Sequence, residues 1–129
     1  MMTVRVYGGD GEVKEIDSAD ISEVVGEPGR LLWVDVSEPV DSDLECLRAE
    51  FSLHPLALED VRHRHQRPKL EQYPTHSFLV AYTGQLQEVD IFVGPSWVVS
   101  VREGDDWGPA WAVDPVFTRF ERTRADNST

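Results

Sequence analysis

A chain of 129 residues with 24 acidic against 12 basic side chains, a formal charge of −12, is sized for one domain that buries roughly two-thirds of its unfolded surface without covalent staples. Its single cysteine, Cys46, excludes an internal disulfide and fits a reducing compartment, and no apolar run approaches the ~18–20 residues of a membrane-spanning helix. Residues 1–60 hold 15 acids and 4 bases whereas residues 61–129 hold 9 and 8, so the first half repels nucleic acid and attracts cations, or simply keeps the surface soluble.

Met1 to Asp10 lacks the apolar core of a signal peptide, and Thr3 to Tyr7 alternates Val4 and Val6 with polar neighbours, as a half-buried strand does. Gly8-Gly9-Asp10-Gly11 supplies a tight turn, and Glu12 to Ile16 returns as the second strand. Ser18 is placed to cap a short helix carrying Ile21, Val24 and Val25, stopped by Gly26 and Pro28. Leu31 to Val36 is nearly continuous apolar sequence and belongs in mid-sheet, covered on both faces. Ser42 and Glu45 have capping-box spacing ahead of a helix whose Leu44, Leu47 and Phe51 share one face.

His54-Pro55 starts a second helix with His54 as a capping or packing residue and Leu58 and Val61 as its buried stripe. A basic, histidine-rich turn from Arg62 to Lys69 follows, then strand-like runs from Lys69 to Tyr73 and Phe78 to Tyr82. Val89, Ile91 and Val93 alternate, Gly94-Pro95-Ser96 turns, and Trp97 to Val101 completes a hairpin. Gly104 to Pro109 reads as a loop. Asp114-Pro115 opens a last helix anchored by Phe117 and Phe120, with Arg119, Arg122 and Arg124 toward its carboxyl end, and Ala125 to Thr129 is expected to fray. Interleaved helices and hairpins predict an α/β fold, a mixed β-sheet with helices on both faces, over residues 1–124 as a single domain. Trp33 and Trp97 are expected in the core, and Trp107 and Trp111 on a loop where they would pack on a helix outside this chain.

Taken together, Leu53 to Tyr82 (LHPLALEDVRHRHQRPKLEQYPTHSFLVAY) resembles the cytoplasmic N-terminal domain of CorA-type divalent-cation transporters, in which an HPLxLED helix leads into QRPK and two strands. Leu32-Trp33-Val34-Asp35-Val36 with Glu38-Pro39, and Val89 to Val93, Trp97 to Val101 and Asp114-Pro115-Val116, extend the resemblance from about Arg30 to about Arg124. It implies an α/β/α sandwich on the cytoplasmic side of the membrane in a full-length parent. It also implies a regulatory, metal-sensing and subunit-contact role in a homopentamer, with no catalysis. The family's Gly-Met-Asn pore signature is absent, the only methionines being Met1 and Met2, so the chain is expected not to conduct ions and to be a soluble fragment without membrane contact. The family's long helix and transmembrane regions fall outside it.

In that family, acids at the positions of Glu59 and Asp60 contribute to regulatory divalent-cation sites between neighbouring subunits, which the long helix completes. Mg2+ is therefore the implied ion, bound weakly by this segment alone, with Zn2+ or Co2+ as alternatives. The residues themselves leave the matter open. Helix neighbours point about 100° apart, so Glu59 and Asp60 cannot grip one ion without help from elsewhere. The competing reading is intrahelical pairing, Glu59 with His63 and Asp60 with Arg64. His63 and His65 could converge on zinc only if residues 61–66 are not helical, and no cysteine stands at ligand spacing. The Arg62 to Lys69 run lacks stacking aromatics for nucleic acid and reads as a solvated loop or an ion-pairing surface for a neighbouring subunit. Asp35, at the end of a buried strand, reads as a turn-fixing residue. Rival readings are a zinc-transporting relative of the same fold, a soluble α/β enzyme using Asp35 or the His54–Asp60 region, and a stand-alone interaction module.

Overall fold

The computed structural model describes residues 1–105 and 107–127. The amino-terminal alternation forms β1 (Met2–Gly8), which turns through Gly11 at φ 86° into β2 (Val13–Ile16). A single 3-10 turn, Ser18–Asp20, leads into α1 (Ile21–Val24), and Gly26 at φ 87° ends it. No side chain caps this start, so Ser18 lies inside the turn and does not fill the capping role predicted for it. The apolar run becomes β3 (Arg30–Ser37).

Helix α2 (Asp41–Phe51) begins one residue before Ser42. The reciprocal contact at its start is made by Asp43, whose carboxylate accepts a hydrogen bond from Val40 N at 3.1 Å, while Glu45 pairs with Arg48 at 2.5 Å. Val40, extended at φ −111° and ψ 167°, is the residue at which the chain enters the helix, so Ser42 lies inside the first turn and out of cap position. Ser52, in the left-handed region at φ 52°, separates α2 from α3 (Pro55–Arg62). The remaining elements are β4 (Lys69–Gln72), β5 (Ser77–Tyr82), β6 (Glu88–Val93), β7 (Trp97–Arg102) and α4 (Asp114–Asn127). Asp106, Ser128 and Thr129 lie outside the described residues, so the expected tail is traced only as far as α4 continues, to Asn127.

The seven strands form one sheet in the order β2-β1-β3-β7-β6-β5-β4, in which only β3 and β7 run parallel. The register Val4–Val34–Val99–Phe92–Phe78 defines one face. On it α2 and α3 bury Leu44, Leu47, Phe51, Leu58 and Val61, with Ile21 of α1. The opposite face receives α4: Phe117 packs on Trp33 at 4.4 Å between ring centroids, Phe120 on Tyr7 at 5.0 Å, and the Arg5 guanidinium lies 4.3 Å from the Phe117 ring. Helices on both faces of a mixed sheet are the architecture expected from the sequence.

The alternation of β6 leaves its acids on the inner face. Val89, Ile91 and Val93 lie on the α4 side, with Val93 at 44% exposure, and the α3 side of β6 is built from Glu88, Asp90 and Phe92. Trp97 is buried and Trp33 is half-buried beneath α4. Trp111 is half-buried, 5.3 Å from the Arg102 guanidinium, whereas Trp107 is 95% exposed.

Candidate functional site

His54 Nδ1 accepts a hydrogen bond from Leu56 N at 3.1 Å and Pro55 occupies the first turn, so α3 is started as its sequence requires. Ala57, Leu58 and Val61 pin the helix to the sheet, and this turns Glu59 and Asp60 away from the core. Both acids sit in the last turn, where the unpaired carbonyls of a helix carry partial negative charge. Two carboxylates added to that end create a local demand for a cation.

Lys69 meets part of it. Its Nζ donates to Asp60 Oδ2 at 2.5 Å and lies 2.7 Å from Glu71 Oε1, and these two hydrogen-bonded acids hold its pKa above the ordinary lysine value. The predicted pairing of Asp60 with Arg64 is therefore not formed: α3 ends at Arg62, so Arg64 is not one helical turn beyond Asp60, and β4 returns Lys69 to the acid instead. Glu59 is exposed, and among the described residues its side chain has no hydrogen bond or ion pair; only its carbonyl is used, by His63 N at 2.9 Å. The two acids remain neighbours with different fates, one neutralised and one free.

Arg64 instead lies under the turn. Its Nη1 is 3.1 Å from Asp90 Oδ2 and 3.7 Å from Glu88 Oε2, its Nε is 3.2 Å from Glu103, and its Nη2 donates to Glu88 O at 3.1 Å. Gln66 N donates to Glu88 Oε1 at 2.8 Å, Gln66 Nε2 donates to His63 O at 2.6 Å, and the Tyr82 hydroxyl donates to Gln66 O. The basic turn is thus fastened to its own chain. Two of its cations, Arg64 and Lys69, are spent inside it and do not form a surface for a neighbour, while Arg62, His63, His65 and Arg67 face solvent.

Residues 63–66 are indeed not helical, with His65 at φ 72°, yet among the described residues no group of three or more His, Cys, Asp or Glu is placed to hold an ion. His54 spends Nδ1 on the cap, and His76 Nε2 accepts from His54 N at 3.4 Å while its Nδ1 lies 2.9 Å from Thr75 Oγ1. Burial, with His54 alongside, lowers the His76 pKa and favours the neutral ring.

Asp35 does not fix a turn. It is buried in β3, where Arg102 Nη2 donates to Oδ2 at 2.6 Å, Arg102 Nε donates to Oδ1 at 2.9 Å, and Ser100 Oγ donates to Oδ1 at 2.7 Å. The parallel register Asp35–Ser100 brings the partners together, and Trp33 Nε1 donates to Ser100 Oγ at 3.0 Å behind them. A cavity of about 300 Å³ opens beside this pair, but both charges are consumed by each other.

Glu88, Asp90, Tyr82 and Arg102 are the residues that sequence reasoning did not assign, and Arg64 and Lys69 are those to which it gave other partners. The one readable sign was Phe92, the largest apolar side chain in β6, which marks the inward parity and carries Asp90 and Glu88 with it.

The family description "CorA-like Mg2+ transporter protein" matches residues 28–110. A putative metal ion transporter of Bacillus subtilis, YfjQ, is 42% identical over 73 residues, covering 53% of this chain and 23% of that protein. The fold superposes on the full-length CmaX protein with a TM-score of 0.66 at 17% identity, covering 96% of this chain and 46% of the other. It also superposes on the soluble domain of CorA from Methanocaldococcus jannaschii with a TM-score of 0.58 at 14% identity, covering 96% and 46%. The chain therefore spans about a quarter of the matched curated relative and under half of these solved chains. Among the described residues no helix is long and apolar enough to cross a membrane.

Proposed function

The chain belongs to the CorA-like Mg2+ transporter family, and from that premise we propose that it is a regulatory, non-conducting domain that senses divalent cations between copies of itself. In this reading Glu59 and Asp60 supply half of a Mg2+ site on the cytoplasmic side of a longer homopentameric parent, and a neighbouring subunit supplies the rest. The supporting observation is the unpartnered Glu59 beside Asp60 in the last turn of a helix held rigidly from behind. Mg2+ takes one or two carboxylates and keeps several waters, so an exposed acid at a negative helix end is a suitable first ligand.

The mechanism needs only Coulomb's law. Two carboxylates about 6 Å apart across a subunit contact repel by ~3 kcal/mol at an effective dielectric of 20. An ion bridging them removes that repulsion and favours the closed arrangement, and several such sites shift a multi-subunit equilibrium substantially. Lys69 acts as a tethered competitor, because an ion that engages Asp60 must displace its ammonium toward Glu71.

Calorimetry of this chain with Mg2+ tests the half-site: binding weaker than about millimolar, reduced further by Glu59→Gln, is expected of one or two carboxylates. Micromolar Zn2+ binding lost on replacing His63 and His65 would replace this reading with the zinc one. In a longer parent, Asp60→Ala should leave the channel more open at high internal Mg2+ and Asp60→Lys should favour closure. Unchanged Mg2+ dependence in both would remove Asp60 from the site.

A further inference from the structure

On its α3 side, β6 buries two acids where an apolar pair would be ordinary. Asp90 is 0% exposed and Glu88 6%. With Glu103 they converge on one guanidinium, that of Arg64. Three carboxylates against one cation leave two negative charges over, and Glu103, 39% exposed at its side chain, is the only one of the three that water reaches well. An uncompensated buried carboxylate takes up a proton in preference to staying charged.

The hydrogen bonds locate that proton. Glu88 Oε1 accepts from Gln66 N at 2.8 Å and lies 3.2 Å from the Tyr82 hydroxyl oxygen, whose hydrogen goes to Gln66 O, and Asp90 Oδ2 accepts from Arg64 Nη1 at 3.1 Å. The other two oxygens, Glu88 Oε2 and Asp90 Oδ1, are buried without a partner. The two side chains are close enough to hydrogen-bond to each other, so a single carboxyl hydrogen shared between them would supply the missing donor. We propose that Glu88 and Asp90 form a proton-binding site whose shared proton fastens the turn 63–68 beneath the end of α3, and that its loss loosens that turn.

The surroundings fit. From α3 the site faces Asp60, from the turn Arg64 and His65, from β4 Lys69, from β5 Tyr82, and from the segment after β7 Glu103 and Asp105; Arg102 of β7 points to the other face, held by Asp35. Burial pushes the Asp90 carboxyl up, to about 8, with the Glu88 hydrogen bond and charge adding and Arg64 opposing. A cavity of about 230 Å³ lined by Arg64, His65, Tyr82, Glu88 and Glu103 gives the proton a route to water. When it leaves, Arg64 must serve two adjacent carboxylates, and the tie of Gln66 to Glu88 is disturbed. The turn continues into Lys69, so the proton also bears on the cation at Asp60; that consequence rests on the metal reading, whereas the proton site does not.

Side-chain carboxyl NMR of this chain, titrated without metal between about pH 5 and 10, tests it. One carboxyl of the pair should titrate near 8, and the Gln66 amide resonance should move with the same midpoint. Asp90→Asn should abolish that midpoint and leave the Gln66 amide independent of pH, and Glu88→Gln serves should the first variant fail to fold. Glu59→Gln should weaken Mg2+ binding yet leave the midpoint in place, which separates failure of the metal reading from failure of this one. Both carboxyls titrating in the ordinary acidic range, or a Gln66 midpoint that persists in Asp90→Asn, would overturn the proposal.

Discussion

Replacing Asp35 by alanine separates a structural acid from a functional one. Arg102 directs three hydrogen-bond contacts at that carboxylate, between 2.6 and 3.2 Å, and Ser100 a fourth at 2.7 Å. The variant leaves the guanidinium, 6% exposed, with Trp111 O and the face of the Trp111 ring. Breaking a buried pair from one side costs about 3–5 kcal/mol, and the orphaned serine hydroxyl adds roughly 1 kcal/mol. Against a total of about 5–15 kcal/mol for a domain, that is a third or more of its stability. With roughly 3–5 °C per kcal/mol at this length, the melting temperature should fall by ~12–30 °C. Removing both charges together, Asp35→Leu with Arg102→Met, should restore most of the loss, because no unpaired charge then stays buried. Urea unfolding of the three proteins measures all of this. A functional acid is commonly held at a cost to stability. An Asp35→Ala protein within about 1 kcal/mol of the parent would therefore refute the structural role and revive an enzyme reading.

Three further outcomes are expected. The folded state keeps the Asp90 proton to about pH 8 while the unfolded chain releases it near the ordinary 3.8, so stability should fall as pH rises across that window and level off above it. The slope is at most ~1.4 kcal/mol per pH unit, and Asp90→Asn should flatten it; parallel urea profiles for the two proteins would contradict the assignment. Lys69→Met should strengthen Mg2+ binding several-fold by freeing Asp60, while costing under about 1 kcal/mol because the pair is partly exposed; calorimetry reading equal or weaker binding would show that Lys69 does not compete. Gly94→Ala should cost roughly 1–3 kcal/mol, since a Cβ there would lie 2.1 Å from Cε2 of Trp97, and the near-ultraviolet dichroism of the displaced indole would report it.

The element list was legible because local rules govern it. Alternation marked β1 and β6, the turn at Gly94-Pro95-Ser96 marked the return in β7, His54-Pro55 marked the start of α3, and Asp114-Pro115 with Phe117 and Phe120 marked α4 and its buried stripe. Errors clustered where two local rules compete. Ser42 and Glu45 had capping-box spacing, but the chain enters the helix at Val40, and Asp43 accepts the Val40 N–H instead. In β6 every residue but the acids was apolar, so alternation had no unique phase; Phe92 and its neighbours Phe78 and Val99 set the parity by packing.

The candidate site divides the same way. That Glu59 and Asp60 are adjacent on a helix end follows from the order of the residues, because a helix fixes the spacing of its own side chains. Which cation each acid meets was not contained in that order. Lys69 reaches Asp60 from a strand, Arg64 reaches Asp90 across 26 residues, and Arg102 reaches Asp35 across 67. Sequence spacing encodes contacts within one turn of helix or one hairpin; the partners of buried charges are chosen when the sheet closes and low dielectric makes each unpaired acid find a cation or a proton.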